Sequence, residues 1–332
     1  MSGVFIHVPT IGFHASHEQI HPAQLLEDVK RAEQAGFAAA MCSDHFAPWS
    51  ERQGHSGYAW SWLGAALAAT SLRFGVVTAP GQRYHPAITA QAAATLAAMF
   101  PGRFWMALGS GEAVNEHITG DRWPRKEIRD ARLVECANVI KALLAGEEVS
   151  HDGLFTVDRA RIWSLPDDPP ELIGAAVSVE TAGAVAEWAD GLITVDQPSD
   201  HLRQMIDAYR DSGGRGRLGV QVHLSWHEDE SQALQIAHDQ WRSNVFPSAL
   251  AWNLETPEQF DTAGQSIAPD DMRKSVLVSN DPAVHIKRIS ELIDLGFDEV
   301  YLHHVGQQQQ PFIEYFGEHV LPAVGASEGK VE

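Results

Sequence analysis

The apolar residues of this chain switch repeatedly between short strand-like runs and longer stretches of helical period, and that alternation constrains the fold more than any other feature. Eight strand-like runs stand out: Val4–Val8, Phe37–Ser43, Arg73–Thr78, Arg103–Leu108, Leu172–Ala176, Gly191–Val195, Leu218–Ser225 and Glu299–His303. Each is followed by a helical stretch. Eight strands alternating with helices close into a barrel, so the pattern predicts a single α/β domain of the (β/α)8 TIM-barrel type. Helix punctuation agrees. Asp281-Pro282 caps and opens a stretch whose Val284, Ile289, Leu292 and Ile293 share one face, and Gly296 closes it. Gly36 ends the first helix in the same way.

A length of 332 residues permits one large domain or two ordinary ones. No low-complexity linker divides the chain, and its one biased run, Gln307–Gln310, lies beyond the last strand. One domain over residues 1–325 is expected, with a tail at 326–332. Two connections exceed simple βα loops. Residues 148–171 carry Asp152-Gly153 between β-prone runs, which reads as a hairpin. Residues 241–271 mix aromatics, prolines and acids without period, as expected of a lid or an outer helical excursion. In a barrel such insertions shape the mouth.

An open doubly wound sheet is the rival architecture, because Gly109-Ser110-Gly111 follows a strand. The dinucleotide fingerprint requires a third glycine where this chain has Val114, and it belongs after the first strand of its domain.

With 24 Lys plus Arg against 44 Asp plus Glu, the net charge of −20 disfavours nucleic acid or an anionic membrane surface as partner. A small-molecule substrate is expected instead. Two distant cysteines, Cys42 and Cys136, form neither a disulfide framework nor a zinc motif and suit a reducing cytosol. The opening MSGVFIHVPT alternates like a strand rather than a signal peptide, so a cytoplasmic protein is expected. Residues 53–82, broken only by Arg73, and residues 84–102 lack formal charge. Both are rich in Ala, Gly, Ser, Thr and Gln, which predicts buried helices rather than membrane spans. Their alanine-rich faces also fit a homodimer contact.

Barrel enzymes work at the carboxyl ends of their strands, which directs attention to the polar groups there. The second strand ends in MCSDHFAPW, placing Asp44, His45 and Trp49 together; the fourth runs into LGSGEAVNE, with Gly111, Glu112 and Asn115; the fifth into Ser178 and Thr181; the eighth into His303-His304. Each also has an ordinary structural reading. A lone strand-end histidine is commonly a satisfied core residue, and Glu112, Asn115, Ser178 and Thr181 can cap the helices that follow them. Hydroxyls and helix amides together also suit a phosphate. Metal-dependent hydrolysis is the competing chemistry, since His14, His17 and His21 recur at near-helical spacing. Neither a His-x-His from the first strand nor an HExxH is present, however, because His7 is followed by Val8-Pro9.

Taken in order, SDHFAPW at 43–49, RYHPA at 83–87 and LGSGEAVNE at 108–116 resemble the bacterial-luciferase-like flavin and deazaflavin oxidoreductases, and among them the sugar-phosphate dehydrogenases that use coenzyme F420. The likeness runs over nearly the whole chain. It implies a barrel holding a flavin-like ring at its carboxyl mouth, with Asp44 and His45 beside the ring and His45 at the hydride-exchanging centre. It further implies that Trp49 walls the substrate pocket, that Glu18 and Glu112 face it, and that Asp44 orients or charge-balances the imidazole. Val76-Val77 matches the place of a non-prolyl cis peptide, and Gly111, Asn115, Ala175, Ala176, Ser178 and Thr181 match cofactor-binding positions. Two departures bear on specificity. Where the sugar-phosphate enzymes carry cations for the substrate phosphate, this chain has Val195-Asp196-Gln197-Pro198 and Lys274-Ser275, and the glycine pair expected after Ala175-Ala176 is replaced by hydroxyl-bearing residues. Those hydroxyls and the overall acidity favour flavin mononucleotide (FMN) over the deazaflavin F420, whose carboxylate-rich tail prefers basic neighbours. The expectation is therefore a flavin-dependent dehydrogenase or monooxygenase. An F420-dependent alcohol or sugar dehydrogenase, a metal-dependent hydrolase and a non-catalytic flavin-binding barrel are the alternatives.

Overall fold

The computed structural model describes residues 9–325. Its strands are β1 (Thr10–Ala15), β2 (Ala39–Ser43), β3 (Arg73–Thr78), β4 (Phe104–Leu108), β5 (Val149–Asp152), β6 (Thr156–Ala160), β7 (Glu171–Ala175), β8 (Gly191–Val195), β9 (Arg217–Ser225), β10 (Leu277–Val278) and β11 (Glu299–His304). Eight of them, in the order β11-β1-β2-β3-β4-β7-β8-β9, pair in parallel, and pairing of β9 with β11 closes the ring. This is the (β/α)8 barrel that the alternation predicts. The first strand differs from expectation: Val4–Val8 lies outside the described residues, and Thr10–Ala15 takes the place between β11 and β2. The other seven boundaries agree within two residues, the usual uncertainty of strand ends.

The helices on the outside are α1 (Pro22–Ala35), α2 (Ala59–Ala69), α3 (Pro86–Met99), α4 (Ala113–Glu116), α5 (Lys126–Leu144), α6 (Val179–Val185), α7 (Ser199–Asp211), α8 (Glu230–Trp241), α9 (Ser248–Ala251), α10 (Pro257–Ala263), α11 (Pro282–Asp294), α12 (Gln309–His319) and α13 (Leu321–Gly325). Proline opens α1, α3, α10 and α11, where its missing N–H costs nothing. The uncharged windows become α2 and α3, which bury Trp60, Trp62, Leu63 and Ala90, Ala93, Ala94 respectively. Among the described residues no helix is long and apolar enough to cross a membrane. Cys42 and Cys136 are both buried and free.

The barrel interior is filled unevenly. At its amino end, Trp105 and Tyr301 occupy the axis with ring centroids 5.9 Å apart. Room for them comes from two glycines: a Cβ at Gly75 would overlap the Trp105 indole, and one at Gly12 would overlap the Tyr301 ring. Below them Arg73 and Arg217 pair with Glu171 and Glu299, closing the floor with opposite charges. Toward the carboxyl end β3, β4 and β7 turn the smaller side chains of Val77, Ala107 and Ala175 inward.

Both long connections carry secondary structure of their own. β5 and β6 make the antiparallel hairpin around Asp152-Gly153. Residues 241–271 form short helical segments, α9 and α10 among them, that fold back over the mouth: the Trp252 carbonyl accepts from Ala113 N at 3.0 Å, and Asp261 Oδ1 accepts from Arg52 Nη2 at 2.6 Å.

Candidate active site

The loops after β1, β2 and β4 bring three predicted residues together. His45 Nδ1 lies 2.7 Å from Glu18 Oε1, and its Nε2 lies 3.9 Å from Glu112 Oε2, so the imidazole stands between two carboxylates. Ser16 Oγ donates to the other oxygen of Glu18 at 2.8 Å and fixes it. Trp49 packs edge-on against His45 at 5.2 Å and against Phe260 of α10 at 5.3 Å, which joins the insertion to the site.

The electrostatics of the trio follow from burial and pairing. Burial alone would lift the Glu18 carboxyl, but the charge and hydrogen bond of His45 outweigh it and hold the group at about 2. Burial disfavours a charged His45, yet Glu18 and, less strongly, Glu112 raise its pKa above the ordinary histidine value. Glu112 is driven the other way. Burial pushes it up to about 7, with His45 opposing and Glu18 and Glu116 adding. The site thus holds one firmly ionised carboxylate, one imidazole of raised basicity and one carboxyl that exchanges its proton near neutrality. That is the equipment of acid–base chemistry.

Asp44 departs from expectation. Its carboxylate is turned away from His45 and accepts from Trp60 Nε1 at 3.1 Å, Thr78 Oγ1 at 2.8 Å and Tyr84 OH at 3.1 Å, while its carbonyl accepts from Arg83 Nη2 at 2.7 Å. Adjacent residues leaving a strand point to opposite sides, so Asp44 serves the layer between barrel and helices while His45 enters the mouth. The residue that orients the imidazole is Glu18. Asn115 is likewise a brace. Its Oδ1 accepts from Phe46 N at 2.8 Å and from Ala47 N at 3.4 Å, and its Nδ2 donates to Glu112 Oε2 at 3.4 Å, tying the His45 loop to the Glu112 loop.

The Val76-Val77 peptide is trans, and no cis peptide occurs among the described residues. Both residues keep the β3 ladder with β2 and β4, and a trans bond avoids a cost of about 3 kcal/mol. Val76 faces the helices and Val77 the barrel axis; Ala176 and Ala175 divide the same way. Gly111 sits at φ 84°, where glycine is favoured. Ser178 caps α6, accepting from Thr181 N at 3.3 Å and donating to Thr181 Oγ1 at 3.0 Å, so both hydroxyls already have partners.

Several site neighbours escape the sequence reading. Arg83 lies in the RYHPA motif, yet only the structure reveals its bonds to Asp44 and Glu116. Inside the barrel lie Gln19, Gln221, His223 and His303 in one hydrogen-bonded chain, with the His14 ring tilted against that of His303, centroids 4.3 Å apart. At the rim, Arg288 of α11 donates to Asp196 Oδ2 at 3.1 Å and Oδ1 at 2.5 Å, to Ser199 Oγ at 2.9 Å and to the Gln197 carbonyl at 2.8 Å. Lys274 pairs with Asp271 at the surface.

Comparison with known proteins matches this architecture. The sequence profile of the family described as luciferase-like monooxygenase covers residues 1–299. An F420-dependent glucose-6-phosphate dehydrogenase of Nakamurella multipartita is 35% identical, with 96% of this chain and 97% of the relative aligned. An F420-dependent secondary alcohol dehydrogenase, solved with an F420–acetone adduct, superposes with a TM-score of 0.88 at 29% identity, covering 95% of this chain and 99% of that one. The FMN-bound 3,6-diketocamphane monooxygenase of Pseudomonas putida shares the fold at a TM-score of 0.69 and 14% identity, covering 95% and 98% of the two chains. A closed parallel barrel, a mouth carrying acid–base groups and a profile match over most of the sequence lead to one assignment: the chain belongs to the bacterial-luciferase-like family of oxidoreductases.

Proposed function

We propose that the protein is an F420-dependent dehydrogenase acting on an alcohol that carries no phosphate. The observation that carries the reading is the placing of His45 between Glu18 and Glu112 at a mouth lined by small residues. A flat tricyclic ring would lie over the small inward side chains of Val77 and Ala175 and the bare backbone of Gly109, where an added Cβ would meet nothing nearer than Ala175 at 3.9 Å. Proteins named as F420-dependent lie at 20–35% identity, whereas the FMN-bound neighbour lies at 14%. The hydroxyls that made FMN the expectation from sequence are engaged in capping α6, which removes much of their weight.

When bound, the deazaflavin supplies a hydride acceptor for the carbinol carbon. The chain's own residues handle the proton. His45 Nε2, on the side away from Glu18, takes the hydroxyl proton as the carbonyl forms, and Glu18 stabilises the imidazolium produced. Glu112, close to that nitrogen and able to exchange its proton near neutrality, passes the proton on. Trp49 and Phe260 screen the site from water. The phosphate-free substrate follows from Arg288, whose guanidinium is already matched by Asp196.

Titrating the purified protein with F420 and with FMN, followed by turnover on a panel of alcohols and sugar phosphates, tests the reading. Micromolar binding of F420 and reduction by an unphosphorylated alcohol are expected. Preference for FMN, or turnover confined to phosphate esters, would overturn it.

A further inference from the structure

His14 is fully buried inside the barrel near the carboxyl mouth, and its Nδ1 has no hydrogen-bond partner among the described residues. An unpaired buried polar atom costs about 1–3 kcal/mol, a cost that a water or a ligand group bonded to Nδ1 would relieve. Its surroundings are unusual in being fully committed. Gln19 Nε2 donates to the Val305 carbonyl, which turns Gln19 Oε1 toward His303 Nε2 at 2.9 Å. His303 therefore carries its proton on Nε2, and its Nδ1 accepts from Gln221 Nε2 at 3.0 Å. The second proton of that amide goes to His223 Nε2 at 3.1 Å. Each of these imidazoles is neutral and locked in one tautomer, and protonating His303 would set an N–H against the Gln221 amide. Trp241 packs against both rings, at 4.6 Å from His303 and 5.1 Å from His223.

His14 rests on this platform, tilted 34° to the His303 ring. It shares the inward face of β1 with Gly12, whose absent side chain makes room for Tyr301, and so it points to the axis rather than to the helices. His17, the other unpaired imidazole of this segment, packs instead against Trp62 of α2 and belongs to the outer layer. Around His14 the charges are already balanced, because the nearest carboxylate, Glu18, is matched by His45. An anionic ligand group would face Glu18 and a cationic one His45. A hydroxyl is the group that suits the atom, since it donates and accepts and carries no charge.

We infer that His14 is a specificity-determining residue that binds a second, uncharged hydroxyl of the substrate, next to the one oxidised. This rests on the dehydrogenase reading above and narrows its substrate class to diols and polyols. Burial holds the His14 pKa down at about 3, so the contact persists across the working pH range. A site built around a substrate hydroxyl discriminates against the analogue that lacks it.

The test uses the F420-loaded protein with propane-1,2-diol and 2-propanol, which differ by one hydroxyl. We expect kcat/KM to favour the diol by at least about 10-fold. His14→Phe should abolish that preference, mainly through KM for the diol; His14→Gln, which retains a polar group, should restore part of it. A histidine-15N spectrum, with His14 assigned by its loss in the variants, should shift at His14 with the diol and not with 2-propanol. Equal losses on both alcohols, no loss on either, or an unmoved His14 signal would overturn the inference. If F420 fails to bind, the function reading falls, and the same diol titration of the unloaded protein still decides the role of His14.

Discussion

Glu18 Oε1 stands 2.7 Å from His45 Nδ1 although the two residues leave different barrel strands, β1 and β2. The contact sets both the orientation and the basicity of the imidazole. Replacing Glu18 by Gln removes the charge that raises the His45 pKa, so His45 should titrate at lower pH in a histidine NMR titration. Alcohol oxidation requires neutral His45, and its acidic limb should move down with it. Turnover at the optimum should fall by about 100-fold, the usual scale for losing an aligned acid–base group. An unmoved limb would show that another group titrates.

Glu112 yields a prediction on stability. Its carboxyl is raised by burial from 4.5 to about 7, so between those values the folded protein holds a proton that the unfolded chain has released. Stability therefore falls as pH rises through that window and levels off above about 7. Glu112→Gln removes the penalty. The variant should gain up to about 3 kcal/mol over the parent at pH 8, reduced by the 23% of the side chain that water reaches, and nothing below pH 4.5. Denaturant titrations at pH 4 and pH 8 check this, and an equal difference at both would contradict it.

These two carboxylates also mark where the sequence stops being readable. Alternation along the chain is enough to recover seven barrel strands, because parallel strands buried on both faces are apolar and bounded by helix caps. The first is ambiguous, since residues 4–8 and 10–15 alternate equally well. What decides is the fit of Gly12 under Tyr301, a contact across 289 positions that no local pattern encodes. Adjacency misleads at Asp44-His45, whose side chains diverge, and the partner of His45 comes from 27 residues upstream. The platform under His14 joins Gln19 to His303, separated by 284 positions. Its members are legible in the sequence only as polar residues on two strands and one loop, without any sign that they meet.

Self-association is the next expectation. α3 exposes Ile88 at 55% and Met99 at 60%, and α2 presents Ser61, Ala65 and Ala68, with no charge in either helix. Such a face is protected when copies pack together. Light scattering should give about twice the chain mass of 36.4 kDa, and Ile88→Lys with Met99→Lys should return it to one chain. A single-chain mass for the parent would refute the dimer.

The barrel floor should matter for folding and not for chemistry. Glu299 Oε1 accepts from Arg73 Nη1 at 2.7 Å and Arg217 Nη1 at 2.9 Å, and its Oε2 from Tyr301 OH at 2.8 Å. Glu299→Ala leaves a phenol and two partly buried guanidinium groups short of an acceptor, a change worth about 3 kcal/mol or more. Unfolding should shift accordingly, while kcat and KM stay within about twofold at temperatures where the variant is folded. A selective loss of turnover would couple the floor to the mouth.

Asp196 is the residue whose removal should change what the rim accepts. The Arg288 guanidinium has both of its faces engaged, by the Asp196 carboxylate and by Ser199, Gln197 and Glu291, so an incoming phosphate meets an acid already in its place. Asp196→Ala keeps the arginine and leaves it one carboxylate, Glu291 at 3.0 Å, in place of two. One charge-assisted hydrogen bond is worth about 1.5–3 kcal/mol, so inorganic phosphate should bind the variant at least about 10-fold more tightly than the parent. Calorimetric titration measures this directly, and the salt dependence should steepen with it. Turnover of a neutral alcohol should change by less than about threefold, because neither residue touches His45 or Glu112. Unchanged phosphate affinity would mean that Arg288 is turned toward α7 by Ser199 and Gln197 rather than neutralised by Asp196, and the argument for a phosphate-free substrate would lose its physical basis.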